Sequence, residues 1–222
     1  MGAKLLNSFL KSKFPRTIKK KHWECLSRKK IVIDTNNYIY KFLSEDNLMG
    51  GFLRMCDMFR YYNIIPLFIF DGKPSKIKIE ELKERKKVKK EAKEIFINKK
   101  YLTNKEKIEL KRKFINVTEN ETNIVKELLN AYGMKYMNAP EESDELCCKL
   151  VNIGKVYACL SEDMDMFIYG CKRVLRGYSN CNYIYMYDIN IILNNLKLSL
   201  KDFKYLILIS NMKENIFKLY KK

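Results

Sequence analysis

Three short runs of apolar and β-branched residues, Ile31-Val32-Ile33, Ile65-Pro66-Leu67-Phe68-Ile69-Phe70 and Val156-Tyr157-Ala158-Cys159-Leu160, each lead straight into an acid. Unbroken apolar runs without polar alternation suit strands buried on both faces, the environment of a parallel sheet. Asp34 follows the first run, Asp71-Gly72 the second, and Ser161-Glu162-Asp163-Met164-Asp165 the third. Helical patterning fills residues 39–61 and 143–152, so the order is β-α-β and then α-β. The expectation is an α/β chain with a mainly parallel central sheet flanked by helices. Its carboxylates gather at the carboxyl edge, where open parallel sheets bind ligands.

Residues 73–113 are almost wholly Lys, Arg and Glu, with a narrow apolar stripe through Ile79, Leu82, Val88, Ala92 and Ile95. Thr103-Asn104-Lys105-Glu106 has capping-box spacing, and a helix from it is expected to run to Tyr132 and stop at Gly133. Together these predict a helical arch over the sheet edge, inserted at 73–132 in one domain of 222 residues. Residues 183–187 read as a further strand. Helices follow over 189–196 and, capped by Ser199, from 200 to about 209.

The net charge is +18, with 44 Lys and Arg against 26 Asp and Glu, and this points to a polyanionic partner. Seven Cys without a CxxC pair and one histidine, His22, support neither a disulfide framework nor a Cys/His zinc site. Cysteines such as Cys147, Cys148 and Cys159 are read as small buried apolar residues in an intracellular protein. No signal segment is visible, and no apolar run approaches the roughly 20 residues a membrane span needs.

Acids converging on one edge repel each other unless cations neutralise them, and oxygen-only ligation selects hard metals such as Mg²⁺ or Mn²⁺. Asp163 and Asp165, two apart in an extended segment, would face the same side. Glu142 and Asp144 stand at a helix start announced by Ala139-Pro140, where capping explains an acid as readily as ligation does. Asp34 or Asp71 taken alone reads equally as a strand-end turn. Lys78 and Arg85, seven apart, share one helical face and could present two cations to one phosphate, although most lysines in such a segment simply face solvent.

Met1-Gly2, Val32-Ile33-Asp34 with Tyr40 following, Phe70-Asp71-Gly72-Lys73-Pro74, Ala139-Pro140-Glu141-Glu142-Ser143-Asp144 and Ser161-Glu162-Asp163-Met164-Asp165 closely resemble, in order and spacing, the motifs of flap endonucleases, the XPG-type 5′-nucleases with a PIN-like fold. The match runs from residue 1 to about 209. The resemblance implies that Asp34, Asp71, Glu142, Asp144, Asp163 and Asp165 hold two Mg²⁺ ions, directly or through water, with Mn²⁺ able to replace them. Asp144 stands where the family commonly has Glu. Lys78 and Arg85 become the basic pair that polarises the scissile phosphate, Tyr40 a base-stacking side chain, and Gly2, Lys73, Lys86 and Lys89 nucleic-acid contacts.

The implied activity is metal-dependent, structure-specific hydrolysis of DNA phosphodiesters near a 5′ end or flap, as in replication and repair. After about residue 209 the chain departs from the pattern. The segment Ser210-Asn211-Met212-Lys213-Glu214-Asn215 replaces a Gly-x-Asp motif, leaving Glu214 as the one acid near the seventh ligand position. The helix–two-turn–helix that grips duplex DNA and a sliding-clamp peptide are both missing, so the expectation is a truncated member of the kind a virus would carry. Two alternatives therefore stay open: a looser single-strand or RNA endonuclease, and a catalytically weakened nucleic-acid-binding protein. A partner chain could supply duplex binding, no membrane is involved, and the compartment would be the nucleus or a viral replication site.

Overall fold

The computed structural model describes residues 3–72, 93–94, 96–97, 103–179 and 181–212. The chain divides into two compact units, residues 1–34, 62–67 and 144–222 in the first and 35–61 and 68–143 in the second.

The first unit is built on strands β1 (Ile18–His22), β2 (Lys30–Asp34), β5 (Ala158–Leu160), β6 (Arg173–Arg176) and β7 (Tyr183–Asp188), in the order β1-β7-β6-β5-β2. β2, β5 and β6 are mutually parallel, with Ile33 opposite Leu160 and Leu160 opposite Leu175. β7 runs antiparallel to both β6 and β1. Ile31, Val32, Ile33, Ala158, Cys159 and Leu160 are fully buried, as their unbroken apolar runs require. Each large aliphatic side chain among them contributes roughly 1.5–3 kcal/mol by leaving water. The edge strand β1 reads Ile-Lys-Lys-Lys-His, and a row of lysines protects such an edge from pairing with another chain.

Helices α1 (Ala3–Lys13), α6 (Ser143–Asn152), α7 (Ile189–Leu196) and α8 (Leu200–Met212) complete this unit. Trp23, for which the sequence suggests no role, is fully buried and donates from Nε1 to the Cys181 carbonyl. Ser199 accepts the Asp202 amide at 3.1 Å, the expected cap of α8. α1, β1 and β6 are elements that the sequence pattern did not announce.

The second unit holds α2 (Thr35–Ser44), α3 (Leu48–Tyr61), α4 (Asn104–Phe114), α5 (Glu119–Ala131) and β4 (Lys135–Asn138), which lies beside β3 (Ile65–Phe70). Its core is aromatic: Phe42 meets Phe52 edge-on, and Phe68 meets both Phe52 and Phe59. Gly51 allows α3 to approach, because a Cβ there would lie 2.3 Å from the Phe42 ring.

Two predicted helices are each divided. The helix expected over 39–61 breaks at Asp46, whose φ of 52° ends α2 before α3 begins. The helix expected from Thr103 to Tyr132 ends at Phe114 and restarts at Glu119, where Thr118 donates from its amide and its hydroxyl to Glu121. The predicted box at Thr103 is present: its Oγ1 accepts the Glu106 amide and Glu106 accepts the Thr103 amide. Gly133, at φ +65°, stops α5 as expected. No described helix is long and apolar enough to cross a membrane.

Candidate active site

Asp34 closes β2 and is only 4% exposed. A carboxylate this buried needs donors. Ser161, fully buried just beyond β5, supplies one from Oγ to Asp34 Oδ2 at 2.8 Å. The same hydroxyl accepts the Asp163 amide at 3.0 Å, and Asp163 Oδ1 in turn accepts the Asp165 amide at 2.9 Å. A chain of hydrogen bonds thus links the end of β2 to the turn after β5. Asp144, in the first turn of α6, belongs to the same unit. Burial pushes the Cys147 thiol up, and the charges of both Asp34 and Asp144 add to that rise, so the two carboxylates share this neighbourhood.

The segment 163–165 is not extended. Met164 is helical, at φ −81° and ψ −15°, and Asp165 opens a 3₁₀ turn through Phe167 that buries Met164, Met166 and Phe167. The Asp163 carboxylate is held by the Asp165 amide in a local side-chain-to-backbone turn, so hydrogen bonding rather than strand alternation orients it. Glu162 turns elsewhere: its carboxylate accepts the amides of Gly177 and Tyr178, pinning the loop after β6.

In the second unit Asp71 follows β3. Its Oδ1 accepts from the Ser143 amide at 2.8 Å and the Ser143 hydroxyl at 2.7 Å, while Oδ2 accepts from Asn36 Nδ2. The 139–143 segment is laced to the strand end, with the Ala139 amide donating to the Phe70 carbonyl and the Gly72 amide to the Glu141 carbonyl. This explains Gly72, whose absent Cβ would sit 2.1 Å from the Ala139 oxygen. Glu142, partly exposed, lies within the same lacing. Ser161, Ser143 and Asn36 are positioning residues that sequence reasoning missed; both serines stand inside quoted motifs, and that adjacency was the available signal.

Tyr40 is 39% exposed on α2, whereas Tyr38 is fully buried, so Tyr40 offers a ring to solvent. Gly2, Lys73, Lys78, Arg85, Lys86, Lys89 and Glu214 lie outside the described residues. Two basic residues of α4 are engaged: Lys111 pairs with Asp46, and Arg112 donates to Ser44 at 3.1 Å and pairs with Glu45 at 3.4 Å. They anchor α4 to the corner between α2 and α3.

The donor set offered at the strand ends is oxygen-only, as a hard divalent cation prefers. Asn36 Oδ1, beside Asp71, is buried and has no partner among the described residues, an acceptor that a cation or its hydration shell would satisfy. Among the described residues, however, no three His, Cys, Asp or Glu side chains come together tightly enough to hold one ion.

Two family models match the chain, the XPG N-terminal domain over residues 1–92 and the XPG I-region over 133–212. The chain belongs to the XPG-type flap endonuclease family. Flap endonuclease 1 of Candida glabrata is 31% identical over 91% of this chain and 58% of its own length, and that of Glycine max is 32% identical over 79% and 50%. The catalytic core of Rad2 in complex with DNA substrate superposes with a TM-score of 0.68 at 27% identity, covering 90% of this chain and 59% of that one. Flap endonuclease-1 from Methanococcus jannaschii shares the fold, with a TM-score of 0.64 at 22% identity over 94% and 76%. The chain thus spans a little under three fifths of the length of the first of these relatives. For this family member, Asp34, Asp71, Asp144, Asp163 and Asp165 all lie at strand ends or in the segments hydrogen-bonded to them.

Proposed function

We propose that this protein is a metal-dependent, structure-specific nuclease that hydrolyses DNA phosphodiesters near a 5′ end or flap. The observation that carries the reading is the hydrogen-bonded run Asp34–Ser161–Asp163–Asp165 at the carboxyl ends of β2 and β5, in a chain matched by both XPG models. Asp34, Asp71, Glu142, Asp144, Asp163 and Asp165 would hold two Mg²⁺, with Mn²⁺ as a substitute. Such ions supply a Lewis acid that activates water and steadies the leaving oxygen. The residues themselves hold position: Ser161 holds the Asp34 carboxylate and the Asp163 backbone amide, and Ser143 with Asn36 holds the Asp71 carboxylate. Lys78 and Arg85 are assigned the scissile phosphate and Tyr40 a terminal base. The compartment assigned is a nucleus or a viral replication site.

The test is cleavage of a 5′ flap, a nicked duplex, single-stranded DNA and RNA with Mg²⁺ and with Mn²⁺. The flap is expected to be cut preferentially, and Asp163→Ala to lower turnover by about 10²-fold or more, the scale seen when one preorganised electrostatic group is removed. Folding and most DNA binding should survive that change. Survival of all four substrates with either ion would leave a binding protein instead; preferential loss of RNA would assign the looser activity.

A further inference from the structure

The amino edge of the sheet in the first unit carries a second charged feature. The turn before β2, the loop after α6 and the starts of β5 and β6 line an open cleft of about 440 Å³. Six cationic side chains, Arg28, Lys29, Lys30, Lys155, Lys172 and Arg173, face it, and no carboxylate lines it. Lys30 and Asp34 are the two ends of β2, about 13 Å apart at the rise of a strand, so the cleft stands at the end opposite the acids.

Solvated surface charge is the plain alternative, and three observations argue against it. First, the frame is fixed: Lys172 donates from Nζ to the Asn152 carbonyl at 2.9 Å and from its amide to Asn152 Oδ1 at 3.0 Å. Arg173 donates to the Tyr157 carbonyl at 3.1 Å and stacks 4.6 Å above the Tyr157 ring. The Lys172 bond also offsets the negative end of the α6 dipole, which would otherwise repel an anion. Second, Arg173 approaches Asp188 at 3.7 Å, but Arg28, Lys29, Lys30, Lys155 and Lys172 have no ion-pair partner among the described residues. Third, Arg28 is held at φ 59°, its amide donating to the Asn63 carbonyl at 2.7 Å. That bond fixes the backbone that carries Arg28 at the lip of the cleft, in a conformation that Gly or Asn would adopt at less cost.

The ligand follows from the lining. Lys29 and Arg173 lie over the Tyr157 ring, which leaves it poorly placed to stack a base, and the cations surround an open cleft rather than a closed pocket. That chemistry reads phosphates without reading sequence. We propose that this cleft binds the phosphodiester backbone of nucleic acid as a second anchor, away from the acids that would cut it. Nucleic acid as the ligand rests on the nuclease reading; the cleft itself does not.

The test uses the full chain with Arg28→Gly, Lys30→Ala and Lys155→Ala combined. Flap substrates carry duplex arms of about 12 or about 30 base pairs, roughly 40 or 100 Å of helix. In EDTA the triple variant should bind the long-armed substrate about tenfold or more weakly, and its log Kd against log salt slope should fall by about 2 to 3. Short-arm binding, and short-arm cleavage in Mg²⁺, should match the parent. Unchanged long-arm affinity overturns the proposal, as does equal weakening for both lengths in a variant whose circular dichroism matches the parent. Competition by tripolyphosphate with no arm-length effect would assign a free polyphosphate and also overturn it. Should the triple variant misfold, Lys30→Ala and Lys155→Ala singly should each lower the slope by about 1. A parent that binds long arms through these residues yet cuts nothing would remove the nuclease reading and leave the cleft.

Discussion

One hydroxyl, that of Ser161, sets the position of two acids, donating to Asp34 and accepting from the Asp163 amide. Ser161→Ala removes the donor from a buried carboxylate, so the chain should lose about 1–3 kcal/mol in urea titration. Turnover should fall by roughly 10- to 100-fold, as when residues that orient metal ligands are replaced, and Ser161→Thr should restore part of it. Gly72→Ala places a methyl group against the Ala139 carbonyl and should cost about 1–3 kcal/mol, read as a lower unfolding midpoint. The thiols provide a separate check. Cys25 and Cys181 are exposed and should react at once with a thiol reagent, while the other five are buried and should react only on unfolding. Burial, with Asp57 adding to it, pushes Cys56 up to about 12 from 9.0. A raised thiol stabilises the fold fully below its unfolded value, and that stability is lost as pH climbs from about 9 to about 12. Cys56→Ala should flatten this alkaline limb of a stability profile.

At the scale of elements, capping decided boundaries that apolar periodicity could not. Thr118 restarts a helix by donating to Glu121, whose pKa is lowered chiefly by that hydroxyl bond. A lowered carboxylate contributes stability above its unfolded value and loses it as pH falls through the folded one. Thr118→Ala should therefore cost about 1 kcal/mol near neutral pH, with the gap to the parent closing under acid, as followed by thermal melts. Runs of apolar residues identified β2 and β3, and the strand at β5 only from Ala158, because buried parallel strands need unbroken apolar character. β1, with three lysines, and β6, with arginines at both ends, carry no such mark. β1 is placed by pairing with β7, far away in the chain, and β6 by pairing with β5 on one side and β7 on the other.

For the whole molecule, a charge of +18 means that the folded state repels itself. The melting temperature should rise as salt goes from about 0.01 to about 0.15 M, where the Debye length shrinks from roughly 30 to roughly 8 Å. Affinity for nucleic acid should move the opposite way, falling steeply with salt. A melting temperature that falls over the same range would show that favourable ion pairs, such as Lys111 with Asp46, outweigh the repulsion.

The sequence by itself determined that the chain is α/β, that acids stand at the ends of its buried strands, and to which family it belongs. All three reside in short contiguous segments, where burial pattern and motif spacing are local properties. Tertiary structure alone decided which groups hold those acids in place, that Glu162 serves the loop after β6 and not the site, and that six cations share a cleft at the far end of the strands. Those outcomes depend on partners distant in the chain, Ser161 with Asp34 and Arg28 with Lys155 among them, and only folding brings such residues within hydrogen-bond or Coulomb range.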